Sequence, residues 1–463
     1  MIPIYTRYLV PEDYGTLELV SLTADILAIL VGAQISTAVF KFYHEENEKS
    51  KKKNIISTAF IGVSIIAGIS LFILGNNAEI ISSLIFGHTK HAVLFQLMFL
   101  GYFFSIVEEV PLAYIRIQDK SKTFVVVIML QIMTMISLNI YFVIVLKYGV
   151  FGILLGTSIA FGITCLFLTW RTIVVTGTKF VFSRLIAMLR YSLPLIPASL
   201  GMFVIHFSDR FFLNQYASLS DVGIYSLAYK FGFLLTPLVV SPFYMIWQSK
   251  MFVFYEDENR VELYNKIMAI FLFAVAAGFL LLSTFINEVL IIMTTEKYYR
   301  AGYFVPIIAA AYVFNGLNQI FLSPLYAEKK TKIIGKINSI AAFVNILLNY
   351  ILISNYGIMG AAVATLLTFT FITIYIVYES GKVSKLQWEW SKLLKLLLIT
   401  TLTALLVRII EIDNIILSIL LKTFMLLSAL YLTYLLKYFS NEQVNYVISL
   451  IFKSKKTSKI INR

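Results

Sequence analysis

The stretch YGVFGILLGT at residues 148–157 returns as YGIMGAAVAT at 356–365, an offset of 208. DYG at 13–15 and DVG at 221–223 keep the same offset, and DKSKT at 119–123 falls against EKKTK at 328–332, one residue off. Landmarks agreeing over so long a span mark an internal repeat. Each copy holds six apolar spans, as set out below. An even number means that both copies enter the membrane in one direction, as a parallel pair related by an axis along the membrane normal. Such pairs enclose a central cavity, and rocking one lobe against the other alternates access to it.

The 463 residues are 59% hydrophobic and 14% charged, with mean hydropathy +0.84. Soluble domains carry roughly 25% charged residues, so this chain cannot cover its own surface in water and lipid is its solvent. Spans of about 20 apolar residues lie near 15–40, 54–75, 91–116, 124–146, 149–170, 191–213, 222–246, 264–285, 301–326, 334–353, 357–379, 393–410 and 413–436. A stub at 1–9 reads as the end of a further helix. The expected fold is all-α and polytopic, with 13–14 transmembrane helices. It divides into an N-terminal lobe (1–172), a linker (173–190), a C-terminal lobe (191–380), a helix pair (381–438) and a basic tail (439–463). The second lobe has the apolar run SLPLIPASLGMFVIHF before Asp209; only six residues precede Arg7, so the first helix reads as truncated.

Alternate connections hold three to six Lys and Arg, and those between them none to two. Basic loops stay cytoplasmic, which puts both termini in the cytosol. The net charge of +13 is therefore a topology signal, and nucleic acid drops out as a partner. Residues 179–190, 382–395 and 440–463 carry basic and apolar residues at helical spacing and fit interfacial helices. Cys165, the sole cysteine, cannot form an intramolecular disulfide and reads as a packing residue. The first residues show no cleavable signal pattern. No His/Cys/acid set suits a metal, and nothing calls for a cofactor.

The segments TRYLVPEDYG (6–15), YSLPLIPASL (191–200), DRFFLNQYASLSDVGIYSLAYKFG (209–232) and the run from EKKTK at 328 to LLTF at 369 resemble the polysaccharide biosynthesis flippases. These belong to the superfamily that also holds multidrug and toxin extruders. The resemblance covers residues 3–380. It implies fourteen helices and movement of a polyprenyl-diphosphate-linked oligosaccharide, of the O-antigen or lipopolysaccharide type, from the inner to the outer leaflet of a bacterial cytoplasmic membrane. Other polysaccharide assembly proteins are expected partners. This chain departs from the family pattern at helix one.

A pyrophosphate head needs cations, and charges within spans cost ~2.5–3.5 kcal/mol each on insertion scales. Arg7 and Arg210, near the outer ends of the first helices of the two lobes, are a candidate pair for bidentate grip of phosphate; His206 shares a face with Arg210. Lys230, deep in its span, reads as cavity-lining, and Arg116 as a topology signal suited to first capture of the substrate. The blander reading of Arg210 is a helix anchor with Asp209. Asp25, Glu18, Glu108 and Glu109 are candidates for proton or sodium coupling, or for neutralising those cations. Seven of nine prolines fall in spans and predict kinks. Asn345 and Asn349 predict interhelical hydrogen bonds. The alternatives are an ion-coupled multidrug exporter, a peptidoglycan-precursor flippase, a scaffold, and a membrane polymerase or ligase. No outer connection reaches 20 residues, and none holds a catalytic constellation, which argues against an enzyme.

Overall fold

The computed structural model describes residues 1–384, 386–409, 415–436 and 438. Among the described residues all regular structure is helical. Over its described residues each span expected from hydropathy is helical, some through more than one element: α1 (Ile2–Tyr8), α2 (Pro11–Gly32), α3 (Ile35–Glu45), α4 (Lys49–Asn76), α5 (Ala78–Phe86), α6 (Ala92–Ile117), α7 (Ser121–Ile140), α8 (Gly149–Thr176), α9 (Phe182–Ser192), α10 (Ile196–Tyr216), α11 (Leu219–Phe233), α12 (Ser241–Glu256), α13 (Arg260–Met293), α14 (Val305–Phe321), α15 (Ser323–Ala327), α16 (Thr331–Val383), α17 (Trp390–Ile409) and α18 (Ile415–Leu435). Among the described residues eleven continuous stretches are long and apolar enough to cross a membrane. One of them, α16, is two spans in line, broken at Gly357 with φ 54°. The stub at the start is the short helix α1.

The repeat is written into backbone angles. Gly149 and Gly357 both have φ 54°, a left-handed value that costs glycine little. The turns before them correct the sequence register. Asp119 and Lys329 both have φ 55°, and Lys120 and Lys330 donate to the corresponding carbonyls of Ile115 and Leu325. The offset at this turn is therefore 210, not 209. The first copy is two residues longer between this turn and the glycine, and there its helix ends in a wide π turn at Tyr141–Val145.

The chain forms two compact units. One holds Met1–Lys230, Leu290–Phe304 and Thr331–Ile372; the other holds Phe231–Val289, Val305–Lys330 and the chain from Thr373 onward. In the first, α6 packs on α4 and α8 around buried Phe95, Phe99, Ile106, Val110 and Leu154. Small residues permit the approach: a Cβ on Gly101 would lie 2.6 Å from the Ser158 hydroxyl. In the second, Phe271, Tyr264, Leu272 and Phe321 are fully buried, and Trp388 meets Phe321 at 4.8 Å between ring centres.

The prolines sit where helices depart from regular geometry: Pro111 lies inside α6, Pro194 in a 3-10 turn at Leu193–Leu195 and Pro237 in a π turn at Thr236–Val240, the last two inside the continuous spans Phe182–Tyr216 and Leu219–Glu256. Pro197 and Pro242 follow those turns directly, Pro324 opens α15, and Pro306 is the second residue of α14. Ser384 and residues 386–389 are not helical, so the Trp388 region is a connection seated on the core rather than an interfacial helix. By contrast 182–192 is a helix, burying Leu185 and Met188 and exposing Phe182 and Ile186. The tail 440–463 lies outside the described residues.

Candidate functional site: a polar cavity and the charges around it

Within the first unit, α2, α3, α6, α8 and α10 surround a cavity of about 530 Å³. Its polar lining is Asp25, Gln34, Ser36, Tyr102, Ser105, Glu109, Thr157 and Ser158; Phe161, Phe203 and Phe207 supply aromatic faces. The Tyr102 hydroxyl donates to the Asp25 carboxylate, and Gln34 donates to Ser199 at 3.2 Å. The break between α2 and α3 shapes one wall. Ala33 and Gln34 adopt left-handed φ of 47° and 53°, which non-glycine residues accept only at a cost of roughly 1–2 kcal/mol.

Beside this cavity α2 and α11 cross at two glycines. A Cβ on Gly15 would sit 2.1 Å from the Leu219 carbonyl oxygen, and one on Gly223 would sit 1.9 Å from that of Pro11. Gly223 and Leu219 are Gly15 and Pro11 shifted by 208. The contact is therefore reciprocal, which is the mark of a two-fold relation. Two turns along α11 from Gly223, Lys230 donates to Glu18 at 2.9 Å and to the Tyr14 hydroxyl at 3.0 Å. Its side chain stays 43% exposed, while that of Glu18 is 12% exposed.

Arg210 is buried and ion-paired within its own helix, though its Nε has no hydrogen-bond partner among the described residues. It is 1% exposed, donates to Asp209 at 2.6 Å and to the His206 carbonyl at 2.6 Å, and lies 3.8 Å from the centre of the Tyr229 ring. Asp209 in turn accepts from Tyr225 and, at 3.4 Å, from Thr365. His206 meets the Tyr229 hydroxyl at 3.3 Å. Arg7 is exposed and makes no ion pair among the described residues. It is not the repeat counterpart of Arg210: α1 and α10 end at Tyr8 and Tyr216, 208 apart, so Arg7 corresponds to Gln215 and Arg210 to Ile2.

The acidic candidates separate by environment. Asp25 and Glu109 open on the cavity. Glu18 is bound to Lys230. Glu108, 3% exposed, accepts two hydrogen bonds from Gln131 on α7, at 2.8 and 3.0 Å. Arg116 is exposed, its guanidinium 5.2 Å from the Phe40 ring centre. Asn345 and Asn349 do bridge helices: Asn349 donates to Ser208 at 3.0 Å, Ser208 to Asn345 at 3.0 Å, and Asn345 to Thr368 at 3.1 Å.

Sequence reasoning missed a buried pair in the second unit. Lys422 on α18 donates to Glu288 on α13 at 2.5 Å, joined by Ser418 at 2.9 Å. The side chains of Lys422 and Glu288 are 7% and 9% exposed. The signal was present, since both are lone charges in apolar runs; ending the span at residue 285 assigned Glu288 to a loop. Among the described residues no group of three His, Cys, Asp or Glu is placed to hold a metal.

Comparison with known proteins fits this geometry. The structure is similar to the lipid II flippase MurJ in an inward closed conformation, with TM-score 0.73 and 17% identity over 94% of this chain and 95% of that one. It is also similar to an inward-facing multidrug resistance MATE transporter, with TM-score 0.64 and 16% identity over 82% and 92%. At these identities the likeness establishes the fold. Among curated proteins, the probable low-salt glycan biosynthesis flippase Agl15 of Haloferax volcanii is 24% identical over 220 residues, 46% of this chain and 45% of that protein. The succinoglycan biosynthesis transport protein ExoT of Rhizobium meliloti is 25% identical over 250 residues, 52% and 47%. The chain thus spans about half the length of the curated relatives it matches, and both are named as a flippase or a transport protein rather than as enzymes. The model of the family described as polysaccharide biosynthesis protein matches residues 1–246. This multi-pass membrane protein belongs to the polysaccharide biosynthesis protein family.

Proposed function

We propose that the protein flips a polyprenyl-diphosphate-linked oligosaccharide, the repeat unit of a surface polysaccharide such as an O-antigen, from the cytoplasmic to the outer leaflet of a bacterial inner membrane. The lobes 1–172 and 191–380 alternate access by rocking about the repeat axis, with the pair 381–438 as an accessory. Both termini face the cytosol, and other polysaccharide assembly proteins supply and receive the lipid. The observation that carries this reading is the reciprocal Gly15–Gly223 contact. It supplies a symmetric crossing about which equivalent helices can rotate, in a chain whose family makes polysaccharide. Because Arg210 is spent on Asp209, the cations offered to a pyrophosphate are Arg7, Arg116 and half-exposed Lys230; Arg210 and His206 hold α10 in position. Proton or sodium coupling, where present, runs through Asp25, the carboxylate nearest mid-span on the cavity.

The test is translocation in reconstituted vesicles. Fluorescent undecaprenyl-diphosphate-linked glycan should become accessible on the opposite leaflet only when the protein is present. Vesicles that leave this lipid in place yet extrude lipophilic cations would replace the flippase reading with the multidrug one.

A further inference from the structure

A cavity meant for pyrophosphate should present cations, and this one does not. Among the described residues lining it there is no Lys, Arg or His; its charged groups are Asp25 and Glu109. Neither carboxylate has an ion-pair partner within 4.0 Å among the described residues, whereas Glu18 is neutralised by Lys230. The remaining polar groups are uncharged: Gln34, Ser36, Tyr102, Ser105, Thr157 and Ser158. Its size falls in the ~300–1,000 Å³ range of small-molecule pockets.

This is a surface for hydroxyl groups. Ionised carboxylates accept charge-assisted hydrogen bonds, and side-chain hydroxyls and an amide both donate and accept, matching the hydroxyls of a pyranose ring. The faces of Phe161, Phe203 and Phe207 suit the C–H faces of such rings, and the apolar wall lowers the local dielectric. The same low dielectric makes a second negative charge costly beside Asp25 and Glu109. Resting on the flippase reading, we propose that this cavity receives the sugar part of the glycan and selects neutral or amino sugars against uronate and other anionic sugars. The diphosphate is held by other residues.

The experiment titrates the full-length chain in nanodiscs with free disaccharides of three kinds: N,N′-diacetylchitobiose, its deacetylated diamine, and a glucuronate-containing disaccharide. The first two should bind, and the uronate should bind about tenfold more weakly or worse, as one charge repulsion demands. The double variant Asp25→Asn, Glu109→Gln should erase the difference. Glu109→Gln alone, at an exposed position, should narrow it and serves where the double variant does not fold. Equal binding of the uronate overturns the proposal, as does binding of none of the three. So does a ratio unmoved by the variants, or tetraphenylphosphonium binding in preference to every sugar. Discrimination among free sugars by a protein that moves no lipid-linked glycan in vesicles would sink the flippase reading and leave the cavity's chemistry standing.

Discussion

Arg210 and Lys422 show two ways of keeping a full charge inside an apolar helix. Arg210 borrows a carboxylate from its neighbour in sequence and two tyrosine rings from α11. Lys422 depends on a single partner more than a hundred residues away. Removing one member of a buried pair leaves an uncompensated charge and costs roughly 3–5 kcal/mol, while replacing both by apolar residues is near neutral. Lys422→Met should therefore lower the thermal unfolding midpoint in detergent well below that of the double variant Glu288→Leu, Lys422→Leu. Equal midpoints would show that the pair does not act as a unit. At Gly15 the obstacle is backbone. A methyl group would meet the Leu219 carbonyl oxygen, which cannot swing away. Gly15→Ala should force α2 and α11 apart and reduce stability and transport, whereas Gly201→Ala, with nothing within 4 Å, should be neutral in the same assays.

At the scale of elements, the connections rather than the helices carry the repeat. Gly357 has open space around it, so Gly357→Ala should cost only the backbone strain of a φ 54°, ψ −130° conformation that residues with a Cβ rarely adopt, on the order of 1–3 kcal/mol. Gly360, one turn on, would push a Cβ to 2.0 Å from the Leu352 carbonyl oxygen. Its substitution should cost clearly more, and comparing the two midpoints separates backbone strain from helix crowding. Hydropathy read the helices correctly because in lipid every backbone group must be satisfied inside its own helix, leaving apolar length as the dominant signal. It misread 382–395 because the two tryptophans suggest an interface on composition alone. Only the fold shows Trp388 packed edge-on against Tyr264 and Phe321.

For the whole molecule, the basic-loop pattern makes a topological prediction. In a Cys165→Ser background, Glu79→Cys should react with a membrane-impermeant maleimide added to intact cells. Lys51→Cys should react only after permeabilisation. Both positions are exposed, so accessibility in the fold does not confound the comparison. The reverse pattern would invert the protein and, with it, the direction of the proposed transport. Cys165 itself is buried, and leaving it in place should add little background.

From sequence alone the membrane character, the approximate position of the spans, the repeat and the family could be read, because each depends on local composition or on residues repeated at a fixed spacing. Tertiary structure was needed to decide which charges are available. Arg7 and Arg210 look alike in sequence, yet one is exposed and the other is bound by Asp209, since neutralisation depends on which atoms lie within hydrogen-bond reach. The same holds for Asp25 and Glu18, one turned to a cavity and the other to Lys230. The 208-residue spacing showed that two helices are equivalent; only folding revealed that they touch, at the two glycines where neither has a side chain to hold them apart.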